Sequence, residues 1–422
     1  MIFADLHIHS RFSRATSSGL TIANLEKWAK VKGLGLLATG DFTHPEWLKE
    51  IRQSLSEDET GFLKTKKGFS FVLQSEVSLV YSQENKTRKV HFILLSKDLD
   101  TAEQVNEALS KHGSLTADGR PTLGIAAPEF IEKVKEIDDL NEIIPAHAWT
   151  PWFGIFGSKS GFDSVEECCE DKSKKVYALE TGLSSDPPMN RLLSSLDRLN
   201  LVSNSDAHSF WPWRLGREAN MLDIKMNYKS LIKAIREREG FKGTIEVDPA
   251  YGKYHFDGHR NCKTRLEPKE SLKFNNRCPK CGNSLTIGVL NRVHSLSDRS
   301  KPKETDNFRH LIPLSEVISA FNGTTPNSKK TWAAYNSLVS GFGNELNVLL
   351  NASFDELSKT AGRELAELII QNREGKIQVS PGYDGVYGKA LINPADSVSG
   401  ENSRNNEPQQ KSPVKSLKDY FG

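Results

Sequence analysis

The sequence predicts an α/β part, followed by a small cysteine-containing module, a helical segment and a disordered tail. In the first 210 residues, apolar segments alternate with amphipathic or turn-rich stretches, as in α/β folds. Cysteines then cluster among basic residues, and a polar stretch almost without apolar residues lies near the end. We predict seven strands in the first part: 2–10, 34–41, 69–79, 90–96, 142–147, 176–180 and 201–206.

Helical periodicity and changes of composition give the predicted domain boundaries. Apolar residues at helical spacing over 20–31 and 128–137 predict crossover helices between parallel strands. The same spacing over 311–321 and 345–371 predicts a small helical domain. We therefore expect a catalytic domain over 1–240, a metal-binding module over 241–300, a helical accessory domain over 301–394 and a disordered tail over 395–422.

Composition excludes several classes of protein. Hydrophobic residues make up 37% of the chain and charged residues 26%, and no run of eighteen apolar residues occurs, so no membrane partner is expected. The N-terminus lacks the features of a secretory signal, which predicts an intracellular, cytoplasmic protein. The five cysteines favour metal binding over disulfides, and we expect no nucleotide cofactor. The net charge of +2 does not argue for or against nucleic acid.

Histidines and carboxylates recur at or near the ends of the predicted strands. His7 and His9 are two residues apart, so both side chains leave the same face of a strand, and Asp206 and His208 repeat this spacing. A single histidine at a strand end is usually structural, but this repetition predicts a metal centre. The predicted ligands are His7, His9, Asp41, His44, Glu76, His91, His147, Asp206 and His208. The residues with predicted catalytic roles are His7, His9, Asp41, Glu76, His147, Asp206 and His208.

Nine donors exceed the four that one tetrahedral ion takes. We therefore expect two or three divalent ions, of zinc, magnesium or manganese. Asp5, on the face of His7, is expected to orient an imidazole rather than to bind an ion. Such a centre attracts anions, and paired ions can activate water and stabilise a leaving oxygen, which favours phosphoester hydrolysis.

These residues lie in motifs that resemble those of the polymerase and histidinol phosphatase (PHP) superfamily. The motifs are the Ala-Asp-Leu-His-Ile-His-Ser opening at 4–10, the segment 38–41, Glu76, His147 and Asn-Ser-Asp-Ala-His at 204–208. The resemblance implies a distorted barrel of seven β/α units that holds up to three metal ions. Asp41 stands where the superfamily usually has a histidine ligand, so the metal preference and the role of His44 stay open.

A second metal site is predicted from paired cysteine knuckles. Cys278 and Cys281 flank Pro-Lys and precede a glycine, and His259 and Cys262 show the same spacing sixteen residues upstream. Unrelated cysteine positions are the alternative, but this pairing is typical of a tetrahedral structural zinc site. Cys168 and Cys169 are adjacent and are predicted to be structural.

Basic and aromatic residues predict contacts with nucleic acid. Between 253 and 280, eight lysines and arginines face three acidic residues, and on a rigid zinc module such a run favours phosphate contacts over a merely solvated surface. Aromatic loops follow His147 and His208; core packing is one interpretation, and stacking on a flipped base is the other. The predicted DNA-binding and base-binding residues are Arg11, Arg14, Trp152, Phe153, Trp211, Arg260, Lys263 and Arg265.

Longer motifs resemble those of the endonuclease Q family. They lie at 39–45, 148–154, 254–262, 285–290 and, as Pro-Gly-Tyr-Asp-Gly-Val-Tyr-Gly, at 381–388. The resemblance implies a DNA-repair nuclease that nicks on the 5′ side of hypoxanthine, uracil and abasic sites. A damaged DNA duplex is then the expected partner, and association with the nucleoid is expected.

The last residues resemble a sliding-clamp-binding box, with Leu417, Tyr420 and Phe421 as the apolar anchors. A short apolar tip on a disordered arm has little structural purpose of its own. Val414 replaces the usual glutamine, so the expected binding is weaker by one hydrogen bond.

The sequence thus predicts a metal-dependent repair endonuclease in which metal-activated hydroxide attacks the phosphodiester and the lesion base is flipped into a pocket. Two alternatives remain open. One is a PHP-type phosphoesterase that acts on a small phosphomonoester, against which the zinc module and tail argue. The other is a non-catalytic, clamp-tethered protein that binds damaged DNA, against which the nearly complete ligand set argues.

Overall fold

The structure is a computed structural model that describes residues 1–304 and 306–392, and these residues form two units. The first unit contains 1–182, 195–246 and 306–308. The second contains 183–194, 247–304 and the described residues from 309 onward. The predicted tail, 395–422, lies outside the described residues. Within the described residues, no helix combines the length and apolar character needed to cross a membrane.

The first unit has a mixed α/β fold. Its strands are β1 (Ile2–Asp5), β2 (Leu36–Ala38), β3 (Ser56–Glu57), β4 (Leu63–Lys64), β5 (Ser70–Gln83), β6 (Lys86–Ser96), β7 (Thr122–Leu123), β8 (Glu142–Pro145), β9 (Ala178–Glu180), β10 (Asn200–Val202), β11 (Ala219–Leu222) and β12 (Phe241–Glu246). The helices up to residue 240 are α1 (Ile22–Lys32), α2 (Pro45–Ser54), α3 (Leu99–Ser110), α4 (Ala127–Ile137), α5 (Val165–Cys169), α6 (Pro187–Asn190, in the second unit) and α7 (Tyr228–Glu237).

Each of the seven predicted strand segments overlaps an observed strand. β1, β2 and β5 are parallel neighbours, and β9 pairs with β10 in parallel. The expected alternation of strand and helix is wrong between β5 and β6, which form an antiparallel hairpin. Glu84 and Asn85 make its turn with positive φ, and no helix separates the two strands. β8 then pairs with β6, again antiparallel.

Backbone hydrogen bonds beyond the strand ends extend this arrangement. The N–H of Ala148, after β8, donates to the carbonyl of Glu180 at the end of β9 over 3.0 Å. The N–H of His9, after β1, donates to the carbonyl of Ala207, after β10, over 3.0 Å. Segments that carry predicted ligands are therefore held side by side where their strands end.

The predicted crossover over 20–31 is α1. The Thr21 side chain accepts a hydrogen bond from the N–H of Asn24 and caps the helix. Gly33 ends it with φ 104°, a left-handed conformation that glycine adopts without steric cost. Leu25 and Ala29 are buried on the face of the helix that packs into the unit.

The second unit contains short hairpins and a group of helices. Its remaining elements include β13 (Asp257–His259), β14 (Thr264–Leu266), β16 (Gln378–Ser380), β17 (Lys389–Leu391), α8 (Pro268–Lys273), α9 (Val289–Leu296), α10 (Leu314–Asn322), α11 (Lys329–Phe342), α12 (Glu345–Leu350), α13 (Phe354–Ala361) and α14 (Arg363–Arg373). The short strand β15 is Phe308–His310.

The predicted helical stretch 345–371 divides into α12, α13 and α14. A capping box between Ser353 and Glu356 starts α13, and Gly362, with φ 85°, separates α13 from α14. The buried carboxylate of Glu345 accepts hydrogen bonds from the Tyr335 hydroxyl over 2.7 Å and from the N–H of Leu314 over 3.0 Å. These bonds join α12 to α11 and to the start of α10.

Candidate metal centre

Three predicted site residues in the first unit have left-handed backbone conformations. Asp41 has φ 41°, His147 has φ 32° and Asp206 has φ 47°. Each lies two to four residues after a strand end, at β2, β8 and β10. Residues other than glycine rarely adopt such angles, and these conformations cluster at functional sites. Backbone strain at these three positions accompanies the close approach of their side chains.

One donor group is formed by His7, His9, Glu76 and Asp206, whose ligand atoms lie within 4.8 Å of one another. His9 Nε2 is 3.2 Å from Glu76 Oε2 and 3.0 Å from Asp206 Oδ1. His7 Nε2 is buried and has no hydrogen-bond partner among the described residues. An orphaned buried nitrogen facing carboxylates fits a position where a cation would bind.

A second donor group is formed by Glu76, His91 and His147. Glu76 Oε1 lies 2.7 Å from His91 Nδ1 and 2.9 Å from His147 Nε2. The other oxygen of the same carboxylate, Oε2, faces the first group. Glu76 therefore belongs to both donor groups and would contribute one oxygen to each if both held an ion.

The opposite ring nitrogens of three ligands are held by oxygen atoms. Both carboxylate oxygens of Glu180 lie 3.1 Å from His7 Nδ1, Asp41 Oδ1 lies 2.9 Å from His9 Nδ1, and Thr150 Oγ1 lies 2.9 Å from His147 Nδ1. A proton on each Nδ1 leaves Nε2 with its lone pair directed into the centre. Such contacts fix the tautomer and orientation of metal-binding imidazoles.

Asp41, predicted as a ligand, lies outside both donor groups. Besides His9, its carboxylate accepts hydrogen bonds from the N–H of Ser10 over 2.6 Å and from the hydroxyl of Ser13 over 2.8 Å. These donors occupy the oxygens that an ion would need. In this structure Asp41 orients His9.

His44 and His208 also lie outside the two groups. The His44 ring stacks on Phe12 with centroids 4.3 Å apart, at the N-terminus of α2. The His208 ring lies 4.5 Å from the ring of His9, and its Nδ1 is 3.0 Å from the carbonyl oxygen of Asp206. His208 therefore borders the first group without sharing it.

The pKa values of histidines and carboxylates in the centre are shifted because oppositely charged groups lie close together. Burial would lower the pKa of His7, but the carboxylates of Glu180 and Glu76 outweigh it and raise the pKa well above its usual value. Burial would raise the pKa of Glu76, but His91 and Arg120 lower it well below its usual range. Metal binding requires neutral imidazoles, so an ion that enters must displace protons.

The expected role of Asp5 is not what the structure has. Its carboxylate accepts hydrogen bonds from the N–H groups of Ser205 and Gly216, and within the part of the chain that the structure describes it forms no hydrogen bond or ion pair with an imidazole ring. Burial raises the pKa of Asp5 to about 6. Asp5 thus ties the segment after β10 to β1, and Glu180 orients His7.

Two residues of the centre were absent from the predicted set. Glu180 is the last residue of β9. Other predicted ligands also lie at or near strand ends, so this position in the sequence could have identified Glu180 as a residue of the centre. Arg120 donates from Nη1 to Glu76 Oε2 over 2.9 Å. It precedes the two-residue strand β7, which has no recognisable strand pattern, so only the tertiary structure identifies it.

In the second unit, His259, Cys262, Cys278 and Cys281 also place their ligand atoms within 4.8 Å of one another. Cys281 Sγ lies 3.4 Å from His259 Nδ1. Burial would raise the pKa of Cys278, but hydrogen bonds, that of Thr264 foremost, lower it to about 6, which favours the thiolate. Three thiolates and one imidazole form a donor set that suits a tetrahedral ion.

The predicted DNA-binding residues differ in their surroundings. Arg11 forms an ion pair with Glu50 over 2.5 Å, and Arg14, whose side chain is 87% exposed, is paired with Asp118 over 3.2 Å. In the second unit three predicted contacts are exposed: Arg260, Lys263 and Arg265. Arg265 donates to Ser380 Oγ over 3.0 Å, which limits its freedom.

Of the predicted base-binding aromatics, Phe153 contacts the centre directly. Trp152 is 40% exposed, and the ring of Phe153 lies 4.4 Å from that of His91. Trp211 stacks on Trp213 with ring centroids 5.3 Å apart and planes only 4° from parallel. Trp28 also contacts Trp211, so this ring lies in an aromatic cluster that the sequence did not predict.

Replacing Glu180 with Gln tests its role in orienting His7. The amide keeps the shape but loses the charge and turns an NH2 group toward N–H donors. We expect Mn²⁺ affinity, measured by calorimetry, to fall about 10- to 100-fold. Glu129→Gln, at an exposed position on α4, is the matched control. An unchanged Mn²⁺ affinity in Glu180→Gln would contradict the assignment.

Part of the second unit is similar to a known domain family. Residues 313–376, which include α10 to α14, match the MJ0043 C-terminal domain model. An uncharacterized protein of Methanocaldococcus jannaschii, MJ0043, is 39% identical over 256 residues, which are 59% of this chain. The chain spans about a third of that relative's length, 32%. An uncharacterized Bacillus subtilis protein, YqxK, is 28% identical over 92% of this chain and 98% of its own length.

Two solved structures are similar over nearly the whole chain. The lesion-specific endonuclease PfuEndoQ from Pyrococcus furiosus has a TM-score of 0.84 and 31% identity, covering 94% of this chain and 96% of that one. Endonuclease Q in complex with a 27-mer duplex substrate that carries an abasic lesion at the active site has a TM-score of 0.84 and 32% identity, covering 94% and 97%. On this similarity in sequence and fold, the chain belongs to the endonuclease Q family.

Proposed function

We propose that this protein is a DNA-repair endonuclease that hydrolyses the phosphodiester on the 5′ side of hypoxanthine, uracil and abasic sites. The observation that carries the proposal is the pair of buried donor groups that share Glu76. The family relative with an abasic-lesion duplex at its active site supports the class of substrate.

The first donor group would hold one divalent ion and the second group another, with Glu76 between them. Zinc, magnesium and manganese are the proposed ions, and His208 and His44 are the remaining predicted donors for a third. When bound, such ions activate water for attack and neutralise charge on the phosphodiester. Glu180, Asp41 and Thr150 hold the imidazoles in place, and Arg120 holds Glu76. We interpret the seven strands that carry these ligands as a distorted β/α barrel.

We assign the lesion base to the predicted aromatic side chains, of which Phe153 contacts the centre. Trp152 offers an exposed face, and Phe153 and Trp211 are fixed by ring contacts with His91 and Trp213. A base that leaves the duplex is commonly stacked on such rings or replaced by them. Arg11 and Arg14, on the loop after the first ligand pair, are proposed to contact the phosphate backbone.

The cysteine-containing group is proposed to bind one structural zinc and to support DNA contacts. Arg260, Lys263 and Arg265 would contact phosphates, since each is exposed beside the zinc ligands. We propose that the chain comprises a PHP catalytic domain (1–240), a zinc-binding DNA-contact module (241–300), a helical accessory domain (301–394) and a tail (395–422). Action on DNA would place the protein at the nucleoid in the cytoplasm.

The test is cleavage of a 5′-labelled duplex that carries one deoxyinosine, deoxyuridine or abasic site. Reactions contain Mg²⁺, Mn²⁺ or Zn²⁺ or a chelator, and Asp206→Ala is the inactive control. A metal-dependent nick 5′ to the lesion, absent from undamaged duplex and from the variant, is expected. Binding without cleavage would favour the non-catalytic alternative, and hydrolysis of free phosphomonoesters with intact DNA would favour a phosphoesterase.

We further propose that the C-terminal segment binds a sliding clamp. Leu417, Tyr420 and Phe421 would fill an apolar pocket on the clamp. Replacing Tyr420 and Phe421 with Ala should reduce affinity for the host's clamp at least tenfold by calorimetry, since two buried aromatic side chains are lost. Lys418→Ala is the control. Equal affinity of both variants and the unaltered chain would refute this role.

A further inference from the structure

Arg120 places a guanidinium group against the carboxylate that the two donor groups share. Its Nη1 donates to Glu76 Oε2 over 2.9 Å, and the same oxygen lies 3.2 Å from His9 Nε2. The cation is therefore beside the atoms that would hold an ion in the first group. This is the position that an anionic group of a substrate would approach.

The backbone around this arginine is fixed to the strands of the centre. The N–H of Gly119 donates to the carbonyl of Phe12 over 3.0 Å, and the N–H of Ser78, in β5, donates to the carbonyl of Pro121 over 2.9 Å. A side chain at Gly119 would collide with the carboxylate of Asp41, so only glycine allows this close approach. The guanidinium thus projects from a rigid support.

Most donors of the guanidinium remain available. Arginine carries five N–H donors. Among the described residues, the Arg120 side chain makes one hydrogen bond, to Glu76, and it is 25% exposed. An arginine that served only to neutralise Glu76 would have no need of an open face, because His91 and His147 already contact that carboxylate over 2.7 and 2.9 Å.

We propose that Arg120 is a catalytic residue that binds the non-bridging oxygens of the phosphate group at this centre. The planar guanidinium fork matches two phosphate oxygens, and its charge is fixed at every working pH. As negative charge on the phosphate increases during hydrolysis, a preorganised cation in a partly buried site stabilises it. The role in hydrolysis rests on the proposed function, whereas phosphate binding can be measured without DNA.

The experiment compares Arg120→Met and Arg120→Lys with Arg52→Met, a matched control at a half-exposed arginine on α2. Three quantities are measured: Mn²⁺ affinity of the metal-free protein, affinity of the Mn²⁺-loaded protein for inorganic phosphate, both by calorimetry, and single-turnover nicking of the lesion duplex at saturating Mn²⁺. Arg120→Lys keeps the positive charge opposite Glu76 but lacks the planar guanidinium group. It therefore tests the contribution of that group to phosphate binding even if Arg120→Met fails to fold.

We expect Arg120→Met to keep its Mn²⁺ affinity within about threefold, to bind inorganic phosphate at least tenfold more weakly and to nick about 10²- to 10³-fold more slowly. Arg120→Lys should be intermediate, and Arg52→Met should match the unaltered protein. Weakened Mn²⁺ binding with normal phosphate binding and nicking at saturating Mn²⁺ would overturn the proposal and make Arg120 a positioning residue. Unchanged values in all three measurements would also overturn it.

The two proposals fail separately. If the unaltered protein nicks no DNA but Arg120→Met loses phosphate affinity, the endonuclease function fails while the phosphate site stands. If the unaltered protein nicks and the variant keeps both its rate and its phosphate affinity, only the assignment of Arg120 fails.

Discussion

Glu76→Gln is expected to abolish metal-dependent nicking, with a rate reduced at least about 10³-fold, since a metal centre contributes several kcal/mol to the transition state. One carboxylate supplies Oε2 to the first donor group and Oε1 to the second, so a single change weakens both. The amide is nearly isosteric, but it is uncharged and presents an NH2 group to His91 and His147. Metal content by mass spectrometry under native conditions and single-turnover nicking measure the effect.

The matched control is Glu103→Gln, at an exposed glutamate on α3. It should retain both metal content and rate. Because Glu76 is also paired with Arg120, the thermal midpoint of metal-free protein should be recorded alongside. A Glu76→Gln protein that keeps two ions and nicks at the normal rate would refute the shared-ligand geometry.

Cys278→Ser is expected to remove about one zinc ion per chain and to destabilise the cysteine-containing module by several kcal/mol. The thiol is almost completely buried and its pKa is lowered to about 6, so the thiolate is the form that this site favours. In zinc-finger peptides, binding of a structural zinc contributes about 10 to 16 kcal/mol to folding. Serine is a poor ligand for zinc, and only three donors remain. Zinc analysis and thermal unfolding measure the loss.

DNA binding gives a second readout of the same variant. If the zinc site supports Arg260, Lys263 and Arg265, losing their phosphate contacts should make the slope of log K against log salt less steep by about 2 to 3. Asn283→Ser, an exposed and uncharged change next to the knuckle, is the control. A full zinc content in Cys278→Ser would contradict the four-ligand site. An unchanged slope of log K against log salt would show that the module does not contribute to DNA binding.

The ligand positions were predictable where a strand pattern leads directly into a polar residue. His7, His9, Glu76 and Asp206 follow or lie in segments that read as buried strands, and the structure joins all four in one group. His259 with the cysteines followed from local spacing alone, because a knuckle is a contact between residues close in sequence.

For other residues, the same reasoning cannot distinguish a metal ligand from a residue that orients an imidazole. Asp41 lies at a strand end like the ligands, yet the Ser10 N–H and the Ser13 hydroxyl engage its carboxylate, so it orients His9. Glu180 has an equivalent position in the sequence, and its role becomes evident only from its contact with His7. Which carboxylate is placed to bind an ion and which supports an imidazole depends on side-chain contacts between residues far apart in the sequence, such as His9 and Asp206, which are 197 positions apart.

The sequence by itself determined the α/β class, the strands that bear the candidate ligands, the cysteine knuckles and the endonuclease Q motifs, because each depends on periodicity or on short spacings. Only the tertiary structure decided that β6 is antiparallel to its neighbours, that Glu76 serves two donor groups and that Arg120 lies against it. These features arise where segments from distant parts of the sequence meet. Hydrophobic periodicity and short residue spacings do not predict such contacts. Residue types therefore indicated which side chains could bind metal ions, whereas tertiary packing determined how those side chains are arranged.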